Sequence, residues 1–119
     1  MTRPEADELS IFTQWMQFLE WLLPAMEKLP KRVRFTFADR ITRLALNIAE
    51  YLVEARYARD KQVILRRINL RLEKLRVLLR LCHRLHYLPH AGYEHAAKAI
   101  NTVGRMLGGW LREQQQRDR

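Results

Sequence analysis

Hydrophobic residues recur every three or four positions along most of the chain, which is the spacing of one face of an α-helix. The first such row runs from Ile11 to Leu29 and predicts a helix from Asp7 to about Leu29. Pro24 lies within this row and predicts a kink, because proline lacks the backbone N–H that the helix uses. No alternating strand pattern and no Asn-Gly hairpin turn interrupts the helical spacing.

A second helix is predicted after a short basic connection. Thr36 offers its hydroxyl as an N-cap, and Asp39, three residues later, resembles the acidic partner of a capping box. An apolar row then follows from Phe37 to Ala55 at helical spacing. The pattern therefore predicts that this helix begins at Thr36 and reaches about Ala55.

Two further helices complete the pattern. Asp60 is predicted to cap a third helix from Lys61 to about Tyr87, and Pro89 suits the start of a fourth that reaches about Gln115. Four helices joined by short connections predict an all-α fold, an antiparallel four-helix bundle. This bundle is expected to occupy residues 1–119 as one domain with short polar termini.

The predicted third helix is apolar on two nearly opposite faces. The face assigned to the bundle core contains Leu65, Ile68, Leu72, Leu75, Leu79 and Cys82. The opposite face carries Val63, Leu70, Val77 and Leu81. A helix of a monomeric bundle needs one apolar face, so the second face predicts a contact between copies of the chain. The alternative is a helix that is buried more deeply than a simple bundle requires.

Two basic strips separate these apolar faces. The first strip contains Arg66, Arg76, Arg80 and Arg84, and the second contains Arg67, Arg71 and Lys74. Glu73 is the only acid from Lys61 to Tyr87, although arginines one turn apart repel one another and acids would relieve this. The strips are therefore predicted to bind phosphates. The alternative is that the arginine stems cover apolar surface while their charged heads face water.

The overall charge points to the same class of partner. The 119 residues contain 22 Lys and Arg against 13 Asp and Glu, a formal charge of +9, and seventeen of the basic residues are Arg. Arginine suits flat, bidentate contact with phosphate. The longest uncharged stretch, from Leu9 to Leu19, is far shorter than the ~20 apolar residues of a membrane span. A cytoplasmic protein with no signal peptide and no membrane partner is expected.

Groups that could perform chemistry are sparse. Cys82 is the only cysteine, so an internal disulfide is excluded. Cys82, His86 and His90 are spaced four residues apart, but His90 lies beyond Pro89 and no fourth ligand is evident, so no metal site is predicted. The only serine, Ser10, has no evident base beside it. We expect a protein that is not an enzyme, with no cofactor and no small-molecule substrate.

Glycines in the predicted fourth helix indicate close packing. Gly104 and Gly108 are four residues apart, and each glycine inside a helix costs ~1 kcal/mol relative to alanine. A neighbouring helix that approaches closely at both positions would offset this cost. The alternative is that Gly108 and Gly109 end the helix, but the apolar pattern continues beyond them through Trp110.

Two segments carry a family resemblance. Residues 75–80 (LRVLLR) and 103–110 (VGRMLGGW), together with Pro24 and the Pro30–Lys31 pair, resemble the accessory variability determinant of diversity-generating retroelements. The leucine–arginine pattern is also similar to that of small four-helix proteins encoded in intervening sequences of 23S ribosomal RNA genes. The resemblance covers nearly the whole chain, and its most specific part is the glycine-bearing segment.

The first resemblance implies a noncatalytic accessory protein. Family members form basic, barrel-shaped homopentamers of four-helix subunits that bind the element's reverse transcriptase and its template RNA, with DNA as a possible further partner. They support mutagenic cDNA synthesis and retrohoming. Arg76 and Arg80 lie both in the resembling segment and in a basic strip, so they are the first candidates for these contacts. The second resemblance implies a structural or RNA-associated protein without a polymerase partner.

Overall fold

The computed structural model describes the backbone of residues 4–117 and the side chains of residues 10–117. Within these residues the regular structure is entirely helical and contains no strand. Four long helices account for most of it: α1 (Pro4–Glu27), α2 (Asp39–Tyr57), α3 (Lys61–Arg84) and α4 (His90–Arg117). The predicted all-α fold with four helices is confirmed.

The four helices form an elongated bundle of 49 × 24 × 20 Å. Each helix packs against its neighbour in the chain, and α1 also packs against α4. The connections are short, so consecutive helices run antiparallel. In this arrangement α1 and α3 lie across a diagonal of the bundle, which leaves a wide outer face on each of them.

The core is continuous along the bundle and includes the apolar residues that the helical spacing indicates. Trp15 is fully buried on α1, and its Nε1 donates a hydrogen bond of 2.9 Å to the carbonyl oxygen of Ala45 on α2. Cys82 is buried on the core face of α3, and this burial raises the pKa of its thiol. The indole of Trp15 thus joins two helices both by packing and by a buried polar contact.

Helix α1 differs slightly from its predicted bounds. It begins at Pro4 rather than Asp7 and ends at Glu27 rather than Leu29, and the helical conformation continues through Pro24. A tight turn follows, in which the backbone N–H of Leu29 donates to the carbonyl of Met26 at 3.2 Å. Leu29 therefore lies in this turn, beyond the end of the helix, although its apolar side chain is part of the core.

The predicted N-cap at Thr36 is wrong. Residues 31–33 form a 3₁₀ turn and residues 34–38 a π-helical turn, so the chain is already helical when it reaches Thr36. An N-cap needs a non-helical backbone, whereas Ala38, which precedes α2, has φ −57° and ψ −50°. Asp60 does precede α3 as predicted, but its side chain makes no capping hydrogen bond.

Helix α3 ends at Arg84, three residues before the predicted end. His86 has a φ of 66°, in the left-handed region, and its N–H donates to the carbonyl of His83 at 3.0 Å. The N–H of Tyr87 donates to the carbonyl of Cys82, also at 3.0 Å. These two bonds form a Schellman motif, which closes the helix. Helix α4 then begins at His90, directly after Pro89.

Candidate nucleic-acid interface

Charge is divided unequally among the helices. Helix α3 carries eight Lys and Arg residues and one acid, whereas the α1 segment carries five acids and no Lys or Arg. The two helices lie across the diagonal of the bundle, so the acid-rich sequence and the base-rich sequence are on opposite sides of it. A polyanion would therefore meet its favourable surface on the α3 side.

The outer face of α3 carries the second apolar row that the sequence indicates. Val63, Leu70, Val77 and Leu81, here called the outer apolar row, are between 42% and 60% exposed. Leu46 and Val53 on α2 are exposed to a similar degree. The alternative of a more deeply buried helix is therefore wrong within this chain, and apolar surface is left without a cover.

The two basic strips flank the outer apolar row on its two sides. Arg76 approaches Gly104 of α4, so the strip of Arg66, Arg76, Arg80 and Arg84 is called the α4-side strip. Arg71 contacts Asn47 and Tyr51 of α2, so the strip of Arg67, Arg71 and Lys74 is called the α2-side strip. A cation thus lies on either side of the apolar row over much of α3.

Arg71 is held within the fold. Its Nε donates to Oδ1 of Asn47 at 2.6 Å, and its Nη2 donates to the hydroxyl of Tyr51 at 3.2 Å. Its guanidinium also lies 4.3 Å from the centroid of the Tyr51 ring, a cation–π contact. These contacts tie α3 to α2. Among the seven predicted binding residues, Arg71 is therefore the one most engaged in structure.

Arg76 is also engaged. It forms an ion pair with Glu73 one turn earlier, and a Cβ built at Gly104 would lie only 2.8 Å from its Nη2. The close approach predicted at Gly104 thus comes from a side chain of α3 rather than from its backbone. At Gly108 the nearest such atom is Nη1 of Arg112, at 3.7 Å, which belongs to α4 itself. No other described helix approaches Gly108 within contact distance.

The remaining cations of the strips are exposed and more available. Arg66 is bonded at 3.1 Å only to Gln62 on the same exposed surface. For the other four, no side-chain hydrogen bond or ion pair is formed within the described residues: Arg67, Lys74, Arg80 and Arg84. The structure therefore separates the predicted binding residues into two anchored arginines and five that can turn toward a ligand.

Sequence reasoning missed the contribution of α2 to this surface. Arg40 and Arg43 line a groove of about 880 Å³ between α2 and α3, together with Arg71 and Lys74. Apolar side chains form part of the same wall: Leu44, Leu46, Val77 and Leu78. The three-residue spacing of Arg40 and Arg43 was the available signal, but only the antiparallel packing of the helices places them opposite Lys74.

Other kinds of site find little support in the described residues. No three His, Cys, Asp or Glu side chains come together there as metal ligands. None of the helices in this part of the chain combines the length and hydropathy that a membrane span requires. His83 instead stacks on Tyr93, with ring centroids 4.5 Å apart, which joins α3 to α4.

Comparison with known proteins supports the first of the two resemblances. A search of curated proteins gave no match. A family model described as bAvd-like matches residues 9–114, which is most of the chain and all of α2 and α3. The matched region contains every residue of the two basic strips and of the outer apolar row. On this match, the chain belongs to the bAvd-like family, in which Avd stands for accessory variability determinant.

Proposed function

We propose that this protein is a noncatalytic accessory subunit of a diversity-generating retroelement. It binds the element's reverse transcriptase and its template RNA, and so supports mutagenic cDNA synthesis and retrohoming. The observation that carries the proposal is the surface of α3, where exposed cations face solvent with a single acid among them. Membership of the bAvd-like family supports the same role.

The arrangement suits a scaffold that holds RNA by its backbone. Arg80 and Arg84 are four residues apart, which places the helix positions that carry them about 6 Å apart along the axis, on the same side of α3. Such a pair can bind neighbouring phosphates of one strand, and phosphate contacts fix position without reading the base sequence. An accessory protein that also binds the polymerase raises the local concentration of template at the polymerase.

A charge-reversal pair tests this role. Arg80→Glu with Arg84→Glu is expected to weaken template-RNA binding roughly 30-fold, taking about 1 kcal/mol for each exposed charged contact. Both side chains are exposed, so the helical circular dichroism should be unchanged. RNA affinity is measured by filter binding, and polymerase binding by co-purification with the tagged reverse transcriptase.

The matched control is Lys98→Glu with Arg105→Glu. It makes the same change in net charge on two exposed residues of the outer face of α4. An equal loss in both pairs would mean that net charge alone drives binding and that α3 is not the site. RNA binding without any co-purified polymerase would instead favour an RNA-associated protein of the intervening-sequence type.

We further propose that the chain acts as a homo-oligomer, a pentamer by its family resemblance, with the outer apolar row in the subunit contact. Val77 is 60% exposed in the single chain, more than any other member of the row. Val77→Glu is expected to lower the oligomer mass measured by multi-angle light scattering, since a charge would be buried in the contact. Val77→Ile serves as the control and should keep the mass. A monomeric wild-type protein at micromolar concentration would remove this role.

A further inference from the structure

The connection between α1 and α2 presents an exposed aromatic ring among cations. Phe35 is 78% exposed, although phenylalanine is usually buried. Its neighbours include four cations and no acid over residues 28–35, here called the basic linker: Lys28, Lys31, Arg32 and Arg34. The guanidinium of Arg34 lies 5.9 Å from the centroid of the Phe35 ring.

The basic linker is a fixed platform rather than a loose loop. It passes through a 3₁₀ turn and a π-helical turn, and Val33 and Phe37 are buried on either side of Phe35. Phe37 packs on Tyr87 with ring centroids 5.8 Å apart, and Arg32 lies 5.5 Å from the same Tyr87 ring. These contacts hold the linker against the α3–α4 connection, so the position at which Phe35 leaves the surface is fixed.

We propose that the basic linker binds single-stranded nucleic acid, with one unpaired base stacked on Phe35 and the adjacent phosphates bound by Lys31, Arg32 and Arg34. Proteins that bind single-stranded nucleic acid combine exposed aromatic rings with cations. The rings stack on bases, because every base has a face that can stack, and the cations contact the phosphates. The linker lies at the end of the bundle where α3 finishes at Arg84, so the site and the end of the α4-side strip share one end of the molecule. This site rests on the RNA binding proposed above and adds a preference for unpaired strand.

The chain contains a matched control for Phe35. Tyr57 at the other end of α2 is also 78% exposed and also has a neighbouring arginine, Arg56, 5.9 Å from its ring centroid. The surroundings differ, because Glu54 and Asp60 lie within three residues of Tyr57. Exposure and the cation–π contact are thus equal at the two rings, whereas the local charge is basic at Phe35 and mixed at Tyr57.

The test uses a fluorescein-labelled 12-nucleotide oligouridine and a 12-base-pair RNA duplex as probes. Phe35→Ala is expected to weaken binding of the single strand about tenfold and to leave duplex binding unchanged, since paired bases cannot stack on the ring. Tyr57→Ala should leave both affinities unchanged. Phe35→Trp should restore single-strand binding, and its indole fluorescence should fall when the oligouridine is added.

Three outcomes would overturn the proposal. Equal single-strand affinity in Phe35→Ala and wild type removes the stacking contact, and an equal loss in Tyr57→Ala makes it nonspecific. A loss of polymerase co-purification without a loss of oligouridine binding assigns Phe35 to a protein partner. Failure of this site is distinguishable from failure of RNA binding as a whole, because the latter requires that wild-type protein bind neither probe.

Discussion

Raising the salt concentration from 50 to 200 mM is expected to weaken template-RNA binding by several hundredfold, approaching about a thousandfold if roughly six phosphates are neutralised. The reason is that each bound phosphate releases condensed counterions, so the logarithm of the affinity falls linearly with the logarithm of the salt concentration. The five strip cations that can turn toward a ligand, with Arg40 and Arg43 beside them, supply about that number of contacts.

The measurement is fluorescence anisotropy of labelled template RNA at four or more salt concentrations. Arg80→Glu with Arg84→Glu should reduce the slope by about 1.4 to 1.8, since single strands contribute about 0.7 and duplexes about 0.9 for each phosphate. The α4 pair, Lys98→Glu with Arg105→Glu, should keep the wild-type slope. A flat response in the wild-type protein would contradict phosphate binding by α3.

Trp15→Ala is expected to lower the free energy of unfolding by about 3–5 kcal/mol. Trp15 is fully buried, so the substitution leaves a cavity between α1 and α2 as well as removing apolar contact. It also removes the hydrogen bond from Nε1 to the Ala45 carbonyl. Urea denaturation followed by circular dichroism measures the change, at one fixed protein concentration because self-association shifts apparent stability.

Two substitutions separate the contributions at this position. Trp15→Phe keeps most of the ring but loses the donor, so it should cost less than the alanine variant and retain the fold. Met16→Ala changes the adjacent residue, which is 39% exposed, and should cost less than about 1 kcal/mol. A loss below about 1 kcal/mol in Trp15→Ala would mean that α1 contributes little to the stability of the bundle.

Helical spacing predicts the four helices because most of their stability comes from an apolar face that must be buried. It cannot predict how the helices begin and end when backbone groups bond to one another. Thr36 has the chemistry of an N-cap, yet the preceding 3₁₀ and π-helical turns already make the backbone helical there. The Schellman motif after α3 places His86 rather than glycine at positive φ, so the usual sequence signal for a helix end is missing.

The candidate site is predictable in its composition but not in the availability of each residue. The two basic strips follow from the sequence of α3 alone. The engagement of Arg71 depends on Asn47 and Tyr51, which are 24 and 20 residues away in the chain, and no local pattern indicates that pairing. The position of Arg76 depends similarly on Gly104 of α4. Long-range packing therefore decides which arginines remain exposed for a partner.

The opposite charges of α1 and α3 also give the molecule a transverse electric dipole. The bundle is only 20–24 Å wide, so its acidic and basic sides are separated by about two Debye lengths at 0.1 M salt, where that length is ≈ 10 Å. An approaching polyanion exerts a torque that turns α3 toward it before any side chain makes contact. Fewer encounters then occur in the wrong orientation, and the association rate rises above that of a uniformly charged bundle. High ionic strength would remove this orientational advantage, because it screens the electric field of the protein.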